Sequence, residues 1–286
     1  MPLRLDAHQH YWRIAAREGA WPPPSLAPIH RDFGPADLAP HLRATQVDGT
    51  VLVQSLPTLD DTRDLLALAR ITPSVKAVVG RVDMKAADAP ARIAAFAAFA
   101  AFAAEPKLRG LRPMLQALDD RWIDDEALAP AVAAMRAHDL RFDALVTPAQ
   151  LDALHAFASR HRALPIVIDH LAKPPVARGE LTAWHDAMAR LARLPNVFCK
   201  LSGVWTEADA HTGAQQIGRF IDATAALFGP ERLMWGSDWP VLKLASAHGG
   251  YEDWFDTCRR HCARLFGEAA LDAIFGGTAQ RFYGID

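Results

Sequence analysis

Cysteine is scarce in this 286-residue chain: Cys199, Cys258 and Cys262 are all there is, the last two standing four apart in a helical stretch. Three thiols so placed cannot build a disulfide framework, and they read as reduced structural residues. Net charge is nearly absent too, with 31 Lys and Arg against 33 Asp and Glu for a formal −2. Without a global positive field there is little to hold a phosphate backbone or an anionic bilayer, which argues against nucleic acid or a membrane as partner. Long apolar runs are missing. The longest, Ile93 to Ala104, is about half a membrane span and is mostly Ala and Phe at helical spacing, so it reads as a buried helix. The opening Met1-Pro2-Leu3-Arg4-Leu5-Asp6 lacks the basic start, apolar core and small-residue cleavage site of a secretory signal, and a cytoplasmic protein is expected. No linker with a composition shift and no low-complexity tail divides the chain, so residues 1–286 are expected to form one domain.

What is present is enough apolar material, 51%, for a sizeable core and enough charge, 22%, for a wetted surface. Eight short β-rich runs recur, roughly Leu3 to Ala7, Gly49 to Gln54, Val75 to Arg81, Gly110 to Met114, Arg141 to Val146, Pro165 to Asp169, Val197 to Leu201 and Leu233 to Ser237. Each is followed by apolar residues at helical spacing, and the repeat averages about 30 residues. This α/β alternation predicts a (β/α)8 barrel of the TIM type. Helix starts are signalled at Pro35-Ala36-Asp37-Leu38, Leu59-Asp60-Asp61, Asp124-Asp125-Glu126 and Thr147-Pro148-Ala149 by a capping or acidic residue or a first-turn Pro. Pro22-Pro23-Pro24 breaks regular structure, so Trp12 to Phe33 is expected to be a long loop over the face where barrels keep their active sites.

The polar residues fall on strand ends. The first strand closes as Asp6-Ala7-His8-Gln9-His10, and alternation puts both histidines on one face with Asp6. An arbitrary His-x-His reads equally as a surface or capping pair; at the mouth of a barrel it faces the chemistry. The sixth strand is an apolar run ending in Asp169-His170, where the carboxylate either orients the imidazole or caps the next helix. The eighth ends Met234-Trp235-Gly236-Ser237-Asp238-Trp239-Pro240, with Asp238 pointing at the mouth unless it is only a cap.

A closed barrel brings those three ends around one opening, and here the sequence resembles the amidohydrolase superfamily, particularly its branch of sugar-lactone and related lactone hydrolases. The matching stretches include Asp6-Ala7-His8-Gln9-His10-Tyr11-Trp12, His30-Arg31-Asp32-Phe33, Gly110-Leu111-Arg112, Ile168-Asp169-His170-Leu171-Ala172-Lys173-Pro174, Cys199-Lys200-Leu201-Ser202-Gly203 and Met234-Trp235-Gly236-Ser237-Asp238-Trp239-Pro240. The resemblance implies hydrolysis of an aldonolactone, such as L-fuconolactone or L-rhamnonolactone, to the open sugar acid. The Asp matching Asp238 would handle the proton of the attacking water, and the histidines matching His8, His10 and His170 would bind a metal or polarise the carbonyl. Metal-rich members bridge two cations with a carboxylated Lys on the fourth strand and add a His on the fifth. Here those strands read Gly110-Leu111-Arg112-Pro113-Met114 and Phe142-Asp143-Ala144-Leu145-Val146, and neither offers such a ligand. A metal-free lactone hydrolase requiring no cofactor is therefore expected. One Zn²⁺ on His8, His10, His170 and Asp238 is the alternative, serving a single-metal amidohydrolase or a non-oxidative decarboxylase of a small carboxylated substrate.

Gln54, Arg112 and Lys200 are candidates for holding substrate hydroxyls or a carboxylate, although each reads also as a structural partner of barrel residues. Trp12, Trp205 and Trp239 offer flat faces for a sugar ring, or else pack in the core. The partner expected is a small lactone, neutral rather than anionic; a barrel that only binds and a metal-dependent nuclease are the rivals from other classes. Oligomeric state leaves no pattern to read.

Overall fold

The computed structural model describes residues 3–17, 20–101 and 107–286. Eight parallel strands pair in chain order: β1 (Leu5–Gln9), β2 (Gly49–Val53), β3 (Val75–Gly80), β4 (Leu108–Leu111), β5 (Arg141–Ala144), β6 (Ile166–Ile168), β7 (Val197–Leu201) and β8 (Leu233–Trp235). β8 returns to β1 through a parallel bridge between Gln9 and Trp239, where His10 N donates to Trp239 O at 2.7 Å and Asp238 N to His8 O at 2.8 Å. The (β/α)8 barrel expected from the repeat is the fold.

Between the strands run α1 (Pro35–Thr45), α2 (Leu59–Arg70), α3 (Ala89–Ala101), α4 (Ala129–Ala137), α5 (Leu151–Arg160), α6 (Thr182–Ala192) and α7 (Ala214–Phe228), followed after β8 by α8 (Tyr251–Phe266) and α9 (Thr278–Tyr283). The start signals act locally. Pro35 is the first residue of α1, Thr58 Oγ1 accepts from Asp61 N ahead of α2, and Asp125 and Thr147 open short 3-10 turns that lead into α4 and α5. The apolar helix expected over Ile93 to Ala104 falls on α3 as far as Ala101, and residues 102–104 lie outside the described residues. All three cysteines are buried and free.

Two features of the strands position the site. The β1–β2 register shifts between Asp6 and Gln9, so Ala7 and His8 both face the barrel interior while Asp6 turns the other way. The shared face expected for Asp6 and the histidines is thereby corrected. Asp6 instead stitches β1 to the end of β8: its carboxylate accepts from Ser237 N (2.9 Å), Ser237 Oγ (2.6 Å), His8 N (3.1 Å) and Tyr251 OH (3.1 Å). The second feature is that β6 and β8 end earlier than their sequence runs, because the chain leaves the ladder in left-handed conformation. His170, Leu171, Ala172 and Lys173 all have φ between 51° and 58°, and Asp238 has φ 57°. Non-glycine residues in that region are strained and cluster at functional sites. At the opposite end of the barrel α9 closes the interior, with Phe282 and Tyr283 packed among Leu5, Ala7, Val51, Val53 and Val167.

Candidate active site

His8, His10, His170 and Asp238 converge at the mouth. Asp238 Oδ1 lies 3.3 Å from His10 Nε2, 3.8 Å from His170 Nε2 and 3.9 Å from His8 Nε2, and all four residues are buried. Two glycines make room: a Cβ on Gly236 would stand 2.8 Å from that of His8, and one on Gly203 would stand 2.5 Å from Nδ1 of His170. Hydrogen bonds orient the rings. His10 is held between two acceptors, its Nδ1 2.7 Å from Val53 O and its Nε2 3.3 Å from Asp238 Oδ1. His170 Nδ1 meets the Ser202 hydroxyl at 2.9 Å.

Burial favours neutral imidazoles. It takes His8 well below its ordinary value and brings His170 down to about 4. Burial alone would raise the Asp238 carboxyl, but the charge of His170, the hydrogen bond to His10 and the nearby His8 hold it below the usual carboxylate range. A carboxylate ionised at neutral pH beside the neutral rings of His8 and His170 is ready to accept a proton.

Above this floor opens a cavity of about 440 Å³. His10, Arg112, His170 and Asp238 reach it from below; Ser55, Gln116 and Thr206 give it a polar side, and Met114, Leu145 and Val241 an apolar one. The loop expected between Trp12 and Phe33 is closed at its ends by mutual backbone bonds between those two residues, and it sets Trp21 on the cavity wall. Arg17, buried in that loop, donates to Trp21 O at 2.8 Å and to Ser55 Oγ at 2.7 Å.

Several residues singled out in the sequence stand elsewhere. His8 and Lys200 have no exposed surface and lie a layer below the cavity. Lys200 therefore does not meet substrate: its ammonium is 2.6 Å from Asp143 and 3.0 Å from Asp169, a buried ion cluster in place of a ligand contact. Gln54 is fully buried behind Arg112, donating to its carbonyl at 2.8 Å. Trp12 packs edge-on to the back of Trp21 at 5.2 Å, Trp239 against Tyr11 and Phe33, and Trp205 against Trp254. These three rings support walls instead of facing a sugar. Arg112 alone of the proposed binding residues lines the cavity, with Asp169 as its ion partner at 3.3 Å. Trp21, Ser55, Ser202 and Asp143 went unnoticed in the sequence. Only Asp143 carried a signal, as a lone carboxylate inside an apolar strand.

The donor set fits one divalent cation: ligand atoms of His8, His170 and Asp238 lie within 4.8 Å of one another. It does not extend to a second, since β4 leads into Arg112 and the β5 carboxylate is taken by Lys200.

A barrel with imidazoles from β1 and β6 gathered on an Asp after β8 is an amidohydrolase barrel, and the chain belongs to that family, whose model matches residues 5–285. Among its relatives, an L-fucono-1,5-lactonase of Burkholderia ambifaria is 55% identical over 287 residues, covering 100% of this chain and 97% of the relative. An L-fucono-1,5-lactonase of Burkholderia multivorans is 37% identical, covering 99% and 96%. A crystal structure of an amidohydrolase from Burkholderia multivorans with bound Zn superimposes with a TM-score of 0.90 at 37% identity, over 99% of this chain and 100% of that one.

Proposed function

We propose that the chain hydrolyses a neutral six-membered sugar lactone, L-fucono-1,5-lactone or a close aldonolactone, to the open acid. The carrying observation is the Asp238 carboxyl group held among three imidazoles on the floor of a sugar-sized cavity. Asp238 takes a proton from water as its oxygen attacks the carbonyl carbon. The oxyanion that forms is met by Arg112 and by His170, whose Nε2 carries a proton when Ser202 donates to Nδ1. Collapse breaks the bond to the ring oxygen, and Asp238 returns its proton to that leaving oxygen. His8, neutral and one layer down, supports the floor without contacting the carbonyl. Were Zn²⁺ bound by His8, His170 and Asp238, it would supply Lewis-acid polarisation and a more acidic water.

Preference for a neutral substrate follows from the cations. Among the described residues the cavity is lined by Arg112 and Lys173, and each already has a carboxylate partner, Asp169 and Glu207. An anionic lactone would find neither free. Hydroxyls on one edge of the ring and a methyl group on the other suit the division of the walls between Ser55, Gln116 and Thr206 and Met114, Leu145 and Val241. A pH-indicator screen of aldonolactones beside amides and carboxylated aromatics tests this, and turnover confined to neutral sugar lactones is expected. Turnover of an amide or decarboxylation of an aromatic acid, with every lactone inert, would remove the lactonase reading in favour of the single-metal alternative.

A further inference from the structure

Arg17 is a cation buried behind the cavity wall. It is 4% exposed, and Asp61 Oδ1 stands 3.6 Å from its Nη2, longer than a hydrogen bond. Its terminal nitrogens go instead to neutral oxygens, Nη1 to Trp21 O at 2.8 Å and Nη2 to Ser55 Oγ at 2.7 Å, while the guanidinium lies 5.1 Å from the Trp12 ring. The Asp61 carboxylate grips the same turn from its backbone, Oδ2 accepting from Ser55 N and Leu56 N, both at 3.0 Å. Ser55 is thus fixed by a cation on its side chain and an anion on its main chain. Burying a guanidinium is costly, so its placement on a single hydroxyl at the cavity edge calls for a reason.

We infer that Ser55 is a substrate contact of fixed polarity, a hydroxyl that donates to the bound sugar, and that Arg17 is the positioning residue that sets this polarity. Arginine has N–H donors and no acceptor, so the short contact occupies a lone pair of Ser55 Oγ and leaves its proton unused. Among the described residues no acceptor meets that hydroxyl, and Ser55 lines the cavity, so the ligand is what can take the proton. A ligand that covers Ser55 without bringing an acceptor leaves a donor unsatisfied, which is a penalty. Thr206, beyond β7, has the reverse polarity: its Oγ1 donates to Gly203 O at 2.8 Å, which leaves lone pairs for the cavity. Two hydroxyls of opposite sense therefore line one pocket. A sugar hydroxyl, donor and acceptor at once, satisfies either; a group that only accepts suits Ser55 and not Thr206. Arg17 also holds the Trp21 carbonyl, so one residue places both a wall ring and the donor.

That the ligand is a sugar lactone rests on the lactonase reading; the polarity of the hydroxyl does not, and two readouts on the full chain separate them. One is turnover of L-fucono-1,5-lactone, the other calorimetric binding of the corresponding 1,5-lactam, whose ring nitrogen resists hydrolysis. Ser55→Ala is expected to raise KM and the lactam Kd about 3- to 10-fold, as loss of one hydrogen bond commonly does, with kcat within about twofold. Arg17→Met is expected to raise both as well, and the double variant to show clearly less than the product of the two separate effects. Arg17→Lys, which keeps a donor without the fork, is expected to fall between wild type and Arg17→Met, and it replaces Arg17→Met in the cycle should that variant fail to fold. In lactones with one hydroxyl replaced by fluorine, which accepts weakly and does not donate, the position coupled to Ser55 is expected to tolerate fluorine better than hydrogen. A folded Ser55→Ala protein with wild-type KM and Kd would overturn the contact. Fluorine as poor as hydrogen at the Ser55-coupled position would overturn its polarity, and fully multiplicative effects of the Arg17 and Ser55 changes would overturn the positioning role. Ser55-dependent lactam binding without lactone turnover would leave the contact standing and defeat the lactonase reading, whereas a wild type that neither turns over the lactone nor binds the lactam would overturn both.

Discussion

Gly203 is pressed so closely to His170 that a β-carbon there would stand 2.5 Å from Nδ1 of the ring and 2.9 Å from its Cβ. The same glycine has φ 62°, in the left-handed region that disfavours any side chain. Gly203→Ala therefore meets two penalties, backbone strain of about 1 to 2 kcal/mol and displacement of the imidazole. The expected outcome is a lower melting temperature with a fall in kcat of at least about tenfold, larger than strain alone would give to a protein still fully folded at assay temperature. Wild-type kcat in Gly203→Ala would show that His170 need not stand where it does.

His170 also shapes stability against pH. Its folded value of about 4 lies below the ordinary 6.5, so on acidification through 6.5 toward 4 the unfolded chain takes up a proton that the native chain refuses. Stability thus falls with acid, by about 2 to 3 kcal/mol between pH 7 and 4.5 from this ring alone. Asp6 acts in the opposite sense: burial raises it to about 6, and its cost is relieved as pH drops from 6 toward 4. His8, lowered as well, tips the sum toward acid destabilisation. Urea midpoints of chelator-treated protein are expected to drop between pH 7 and 4.5, and the drop should be visibly smaller in His170→Asn; equal slopes would mean His170 is not held neutral.

Chelation bears on the cofactor. The Arg112 guanidinium 3.3 Å from His8 Nε2 opposes a second positive charge there, and neither β4 nor β5 adds an imidazole. Exhaustive chelation is expected to leave lactone turnover within about twofold of the untreated enzyme. Activity that disappears and returns with Zn²⁺ would assign the electrophile to a metal.

The barrel was legible because parallel strands buried on both faces read as short apolar runs, and because Pro35, Thr58 and Thr147 mark helix starts by local hydrogen bonding or fixed φ. His8, His10, His170 and Asp238 were legible as polar residues closing such runs. Depth was not. Strand alternation gives a face but no height along the barrel axis, and the bulge after Asp6 broke even the face, so Lys200 looked like a substrate donor while lying in the Asp143–Asp169 cluster. A tryptophan near a strand end reads the same whether it lines a cavity or backs it. Trp21 stayed hidden because its place depends on the path of the 12–33 loop, which Arg17 fixes by bonding both the Trp21 carbonyl and Ser55, a residue distant in sequence.

The account stands on Asp238 as the group that moves the proton of water, and Asp238→Asn assayed on the lactone tests it most directly. Asn keeps the shape and loses the acceptor, so kcat is expected to fall by about 10²- to 10⁴-fold with a much smaller change in KM and a retained fold. A folded Asp238→Asn enzyme with wild-type kcat would contradict it.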